Sequence, residues 1–261
     1  MSNNQVSVVV PTYNETLNLR PLTERLFKAT RAAALDVDLL FADDESVGSV
    51  ESAAIVAALR GEGYAVRLET RPRSAGRGLS SAVLLGFSRA AHDVCVCMDA
   101  DLQHEPEAVP AVCAPVLDGA ADFSIGSRNT GDGGIGFEWS LLRRLISKGA
   151  TLLAYPLTAS TDPMSGFFCV RKQTLARGDP NPIGFKIALE IMVRCGCSQV
   201  VDVPITFRER TAGESKLSPK QNVEYLQQLA SLYLFAYRKT LVALAVAGAA
   251  LVVALYRARF P

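Results

Sequence analysis

Hydrophobic and polar positions switch between two periods through the first half of the chain. Val6 to Val10 is a short apolar run ending at Pro11-Thr12-Tyr13-Asn14-Glu15, which predicts a buried strand. Leu19 to Ala34 carries apolar residues at helical spacing, and Val37 to Ala42 is a second strand closed by Asp43-Asp44-Glu45-Ser46. A helix near 50–60, a strand near 65–70 and a helix near 79–91 continue the series. A strand at 94–98, a helix after Pro106 and a strand at 123–127 complete it. This succession predicts an α/β fold, a mostly parallel sheet with helices on both faces. Ligands of such sheets bind beyond the carboxyl ends of the strands, where Pro11, Asp43 and Asp99 all fall.

The pattern changes after Arg128. Gly131 to Gly136 reads as a mobile glycine-rich loop. Trp139 to Tyr155 is a basic amphipathic helix that suits either an ordinary surface position or the plane of a bilayer. Residues 226–237 form another amphipathic stretch. Leu241 to Tyr256 is uncharged and almost wholly apolar, bracketed by Arg238-Lys239 and by Arg257 and Arg259. From Thr240 it covers roughly 25 Å, short of a ~30 Å hydrocarbon core but long enough with snorkelling, so a transmembrane helix is expected. The expected organisation is a catalytic domain over 1–220, an amphipathic connection over 221–239 and an anchor over 240–257. Met1 to Gln5 is polar and Val6 to Val10 too short for a signal core, so the bulk is expected on the cytosolic side.

Composition narrows the chemistry. The 261 residues carry a net charge of +1, so no global field argues for a nucleic-acid partner, and local basic clusters must do any anion binding. Six cysteines include the pairs Cys95/Cys97 and Cys195/Cys197, whose spacing does not suit zinc, so buried thiols are expected.

The strand at 94–98 runs directly into Asp99-Ala100-Asp101-Leu102-Gln103-His104. In an extended chain Asp99 and Asp101 share one side and Gln103 continues the row. Two carboxylates and an amide oxygen suit a hard divalent cation that completes its shell with phosphate oxygens. The same residues also suit a helix cap ahead of Pro106.

Seven segments occur in a telling order: Pro11-Thr12-Tyr13-Asn14-Glu15, Asp43-Asp44, Asp99 to His104, Ser127-Arg128, Ser147-Lys148-Gly149-Ala150, Asp162-Pro163-Met164-Ser165-Gly166-Phe167, and Arg210 with Gly213-Glu214-Ser215-Lys216-Leu217. Over roughly 5–220 the chain resembles the dolichyl-phosphate mannosyltransferases, among the inverting glycosyltransferases of GT-A (Rossmann-like) fold. Its apolar C-terminus resembles the single-chain members that carry their own anchor.

The resemblance implies transfer of mannose from GDP-mannose to dolichyl phosphate at the endoplasmic reticulum membrane. Pro11, Tyr13, Glu15, Ala42, Asp44 and Ala100 would contact the nucleotide. Asp99, Asp101 and Gln103 would hold Mg²⁺ or Mn²⁺ against its diphosphate. Arg128, Arg210 and Lys216 would bind the diphosphate and the acceptor phosphate, as Arg suits bidentate phosphate contacts. Asp101 with those three cations forms the expected catalytic set. His104 is expected beside the site rather than as a base, because a phosphate monoester is already ionised near neutral pH. A UDP-glucose-dependent glucosyltransferase and a catalytically idle nucleotide-sugar-binding subunit are the competing readings. The chain departs from the family at Ser46-Val47-Gly48-Ser49, which lacks an Asp-Gly pair. Its 71–78 loop is also unusually basic and is expected to be solvated.

Overall fold

The computed structural model describes residues 4–72, 74, 78–136, 141–209 and 219–259. In chain order the elements are β1 (Gln5–Thr12), α1 (Leu19–Ala32), β2 (Asp36–Asp43), α2 (Ser49–Gly61), β3 (Val66–Thr70), α3 (Leu79–Arg89) and β4 (Val94–Cys97). Then follow α4 (Val109–Leu117), β5 (Phe123–Ser127), β6 (Gly134–Ile135), α5 (Leu141–Ala154), β7 (Phe168–Arg171) and α6 (Lys172–Leu175). The chain ends with α7 (Ile187–Arg194), β8 (Val200–Pro204), β9 (Thr206–Phe207) and α8 (Pro219–Arg259).

Among the described residues, seven strands form one sheet in the order β3-β2-β1-β4-β7-β5-β8. All pairings are parallel except those of β7, which lies antiparallel between β4 and β5. The expected mostly parallel sheet is therefore present. Its antiparallel member was not expected, because Phe168–Arg171 is too short to announce itself by periodicity. Inserting β7 backwards matters for the site: its start, rather than its end, reaches the edge where the parallel strands finish.

Both faces of the central strands are buried, which explains their continuous apolar runs. Val6, Val8, Val10, Val94 and Val96 pack on one face with Leu22 and Leu26 of α1 and Val112 of α4. Val9, Cys95 and Cys97 face the other way, against Val83 and Phe87 of α3. The described cysteines are free thiols, and burial pushes that of Cys95 up to about 12, as expected for core residues.

Two local expectations are corrected. Gly134–Ile135, in the segment expected to be a mobile loop, pairs in parallel with Thr206–Phe207. The extended row of Asp99, Asp101 and Gln103 is not formed, because the strand stops at Cys97 and Leu102 turns left-handed at φ 61. Asp101 Oδ1 accepts the Gln103 N–H at 3.1 Å, a local bond that competes with extension. Helix α8 runs unbroken for 41 residues across both the expected connection and the expected anchor. Its first part belongs to the core, with Tyr225, Leu229 and Leu232 buried. Lys220–Gly248 is long and apolar enough to cross a membrane. Trp139, which begins the expected basic helix, lies outside the described residues.

Two outcomes follow from this packing. A Cβ on Gly86 in α3 would meet Val9 Cγ1 of β1 at 2.2 Å. Gly86→Ala should therefore lower stability by about 1–3 kcal/mol through overpacking, although alanine is the better helix former. Thermal unfolding of the full chain in detergent measures it, and an unchanged or raised midpoint contradicts it. His104 is wedged between the rings of Phe167 and Phe207, at centroid distances of 5.3 and 5.2 Å. Burial lowers its pKa from 6.5 to about 4. Unfolded chains thus take up a proton that the folded protein refuses, so stability should fall as the pH drops from 6.5 toward about 4. The histidine's share is roughly 3 kcal/mol across that window, at about 1.4 kcal/mol per unit. Urea melts of the wild type and His104→Gln across the window isolate that share; parallel pH profiles contradict it.

Candidate active site

A cleft of about 760 Å³ opens where the carboxyl ends of the parallel strands meet α5 and α8. The sheet order divides its walls. Pro11, Thr12, Tyr13, Glu15 and Asp44 come from β1, β2 and the loops that follow them. Asp99, Ala100 and Asp101 follow the central β4. Arg128 follows β5, while Ser165 and Gly166 lead into β7. Eight of the residues expected from the sequence thus share one cavity: Pro11, Tyr13, Glu15, Asp44, Asp99, Ala100, Asp101 and Arg128.

Ala42 and Gln103 do not line it. Ala42 is buried within β2. Gln103 is buried and donates its Nε2 hydrogen to the Arg208 carbonyl at 3.0 Å, so its amide braces the loop after β9. The turn at Leu102 is the physical reason: it rotates Gln103 out of line with the two carboxylates. Arg210 and Lys216 lie outside the described residues, as does the whole 213–217 motif.

On the wall built from β1 and β2, Asp44 is already engaged. Its Oδ1 accepts from Arg71 Nε at 2.8 Å and from Arg71 Nη2, and its Oδ2 accepts from the Gly78 N–H at 2.8 Å. Arg71 Nη1 also donates to Ser81 Oγ at 2.7 Å. The expectation of a solvated basic loop is therefore corrected at Arg71, which is buried and ties β3 to the start of α3. A buried carboxylate needs such a partner, and no local pattern tells which arginine supplies it. The shortened Ser46–Ser49 turn is closed by Asn14, whose N–H donates to Ser46 Oγ at 2.8 Å and whose Oδ1 accepts from the Val47 N–H at 3.0 Å.

Asp101 is buried, and Asp99 has a side chain about one-third exposed, at 32%. His104 Nδ1 lies 3.4 Å from both the Asp99 N–H and Asp99 Oδ2. Burial keeps this imidazole neutral at ordinary pH, so the contact is a hydrogen bond from the Asp99 backbone rather than an ion pair. A Cβ on Gly166 would sit 3.0 Å from Asp99 Oδ1, a tight contact that glycine avoids, so the approach to β7 runs close beside that carboxylate. No group of three His, Cys, Asp or Glu residues among the described residues makes a metal site alone. The pair Asp99 and Asp101 fits Mg²⁺ or Mn²⁺, ions that accept a few hard oxygen ligands from protein and the rest from water and phosphate.

Cations face these carboxylates. Arg128 forms a fork with the buried Asp162, Nε to Oδ2 at 2.7 Å and Nη2 to Oδ1 at 2.7 Å, and its backbone N–H donates to the same Oδ2. Its guanidinium also lies over the Phe207 ring at 5.2 Å. This fixes the arginine before any ligand arrives. Lys186, at the N-cap of α7, also lines the cleft and donates to the Met164 carbonyl at 2.8 Å. Burial, and then the neighbouring Arg128, lower its pKa from 10.5 to about 8. Sequence reasoning missed Lys186. The signal was a single charge inside the apolar run from Pro182 to Leu189. Ser147 and Ala150, from a segment singled out in the sequence without a role, line the cleft from α5, and Gln221, Asn222, Glu224 and Tyr225 of α8 join them, which only the packing reveals.

Comparison with known proteins agrees with this architecture. Residues 7–178 match the family model described as glycosyl transferase family 2. The chain is 46% identical over 243 residues to the dolichol-phosphate mannosyltransferase of Saccharomyces cerevisiae, covering 89% of this chain and 88% of that one. It is 45% identical to the enzyme of the same name from Mycosarcoma maydis, covering 88% and 80%. Among solved structures, mannosyl-3-phosphoglycerate synthase from Rubrobacter xylanophilus superposes with a TM-score of 0.66 at 19% identity, covering 88% of this chain and 74% of that one. Glucosyl-3-phosphoglycerate synthase from Mycobacterium tuberculosis, solved with Mn²⁺ and UDP-glucose, gives 0.59 at 18% identity, covering 89% and 80%. These two likenesses establish the fold. The chain belongs to glycosyl transferase family 2, in the branch of the dolichol-phosphate mannosyltransferases.

Proposed function

We propose that this enzyme transfers mannose from GDP-mannose to dolichyl phosphate with inversion, giving dolichyl β-D-mannosyl phosphate. The reaction would take place at the cytosolic face of the endoplasmic reticulum membrane. The single observation that carries the reading is the cleft itself. It joins the carboxylates of Asp99 and Asp101 to the fixed Arg128, and it opens against α5 and α8. Both helices present large apolar side chains outward, among them Leu145, Leu152, Leu234 and Leu244, each more than 60% exposed. An apolar surface of this kind marks a membrane contact, and it brings a lipid-borne phosphate to the cleft.

The names of the relatives support the lipid acceptor and the sugar. Pro11, Tyr13, Glu15, Asp44 and Ala100 would receive the nucleotide, with Arg71 and Gly78 holding Asp44 in place. Asp99 and Asp101 would hold Mg²⁺ or Mn²⁺, which when bound offsets the charge growing on the departing diphosphate. Arg128, with Arg210 and Lys216, would bind the phosphates of donor and acceptor. An oxygen of the lipid phosphate attacks the anomeric carbon of mannose while the bond from that carbon to the diphosphate oxygen breaks. The bonding electrons leave with GDP. One displacement turns an α-linked donor into a β-linked product. The nucleophile is a phosphate dianion, with a second pKa of about 6, so no general base is needed. His104 fits that economy, since it is buried between two rings and serves the Asp99 backbone.

Purified full-length protein given Mn²⁺ and a short polyprenyl phosphate should consume GDP-mannose and leave UDP-glucose unused. Consumption of UDP-glucose alone would instead establish the glucosyl donor, and use of neither donor would favour the idle subunit. Asp101→Asn should lower turnover at least about a thousandfold, the loss typical when a main electrostatic stabiliser goes, with its melting midpoint retained. Near-normal turnover in that variant removes the metal role. A chain ending at Arg238 keeps the packed part of α8 and should be washed from membranes by alkaline carbonate, while the full chain stays. A truncated chain that resists the wash would move the anchoring to α5.

A further inference from the structure

Lys186 stands apart from the other cations of the cleft. Among the described cations lining the cleft, Arg128 is bound by Asp162 and the exposed Lys220 lies 3.7 Å from Glu224, whereas Lys186 has no carboxylate oxygen within ion-pair distance among the described residues. Its ammonium meets the Met164 carbonyl at 2.8 Å and the face of the Phe185 ring at 4.5 Å. An ammonium drawn out of water with one carbonyl and one ring in contact, and with Asp99 and Asp162 acting only from beyond ion-pair distance, gains from an anion arriving beside it.

Its place in the fold says which anion. The nucleotide wall is built from β1, β2 and α3, on one side of β4. Lys186 enters from the opposite half, through the Met164–Gly166 segment that leads into β7, and shares its wall with Ser147 of α5 and Gln221 of α8. Those are the helices whose outer faces are apolar. The lysine is also fixed from the membrane side. Gln228 of α8 is buried and donates from Nε2 to the Lys186 carbonyl at 3.1 Å and to Glu190 Oε2 at 3.0 Å. Glu190 in turn pairs with Arg194 at 2.5 Å, and Arg194 Nη2 reaches Ser231 of α8 at 2.8 Å.

We propose that Lys186 binds the phosphate of the lipid acceptor, and that Gln228 positions it by tying its backbone to the helix that enters the membrane. This rests on the function proposed above and adds a residue to its acceptor side. The ammonium holds the incoming phosphate beside Asp99 and Asp101 without taking its proton or any covalent part. The helix that would anchor the chain thereby also sets where the nucleophile sits.

The test is calorimetric titration of the full-length protein in detergent with farnesyl phosphate, farnesol and inorganic phosphate, and separately with GDP and Mn²⁺. Lys186→Gln should weaken farnesyl phosphate at least about tenfold, the scale of one lost charge-assisted hydrogen bond, with GDP affinity held within about twofold. Lys186→Arg should restore most of the binding, and its melting curve, with that of Lys186→Gln, shows that the fold persists. Gln228→Ala should weaken farnesyl phosphate while leaving GDP alone. Inorganic phosphate should bind far more weakly than farnesyl phosphate; equal binding would make the site one for free phosphate and overturn the lipid assignment. The proposal also falls if Lys186→Gln leaves farnesyl phosphate unaffected, or weakens GDP in the same proportion. If the wild type binds farnesyl phosphate no better than farnesol, the acceptor reading itself fails, and this proposal with it.

Discussion

The architecture turns on how β4 is held. It is paired in parallel with β1 on one side and antiparallel with β7 on the other. Both faces are buried, so neither its register nor the point where it ends has room to shift. That fixes where the chain leaves the sheet after Cys97, and hence where Asp99 and Asp101 emerge. The reversed direction of β7 then delivers Gly166 alongside Asp99 from the other half of the sheet. Two segments far apart in sequence meet because one strand runs backwards.

Charge is the second constraint. A cleft that is to take the phosphates of the proposed donor and acceptor must be cationic, yet unpaired cations out of water are costly. The protein resolves this by fixing Arg71 on Asp44 and Arg128 on Asp162 in buried forks. Such pairs contribute geometry more than stability, since desolvation offsets much of their attraction. What they provide is an Arg128 already in position in the cleft and an Asp44 held in place by Arg71, which lowers the reorganisation needed when ligands arrive. Lys186 lacks such a carboxylate and is held instead through backbone carbonyls, one of them gripped by Gln228.

The long helix α8 unites two roles. Its first part contributes Tyr225, Leu229 and Leu232 to the core, and its tyrosines reach the carbonyls of α5 and the turn after it: Tyr225 to Ala150, Tyr233 to Leu153 and Tyr237 to Pro156. Beyond that point Leu241, Val242, Leu244 and Val246 are exposed. An unbroken helix transmits position, so the cleft wall and the apolar segment are one rigid piece rather than a domain on a tether. Were the apolar end to enter a bilayer, as proposed above, the same helix would hold the cleft at a fixed height above it.

The sequence by itself determined the succession of strands and helices, because apolar period and strand-ending polar residues are local properties. It also placed Pro11, Tyr13, Glu15, Asp44, Asp99, Ala100, Asp101 and Arg128 at strand ends, where the cleft formed. It did not reveal that Gln103 turns inward, because a left-handed Leu102 and an aspartate capping its own turn override the alternation of an extended chain. Nor did it reveal Arg71, Lys186, the place of the motif residue Gly166 against Asp99, or Gln228. Each matters through a partner distant in sequence: Asp44, Met164, Asp99 and Lys186. Strand order, the backward run of β7 and the docking of α8 decided those meetings. Contacts across such distances carry no local period to read, and only folding brings them within reach.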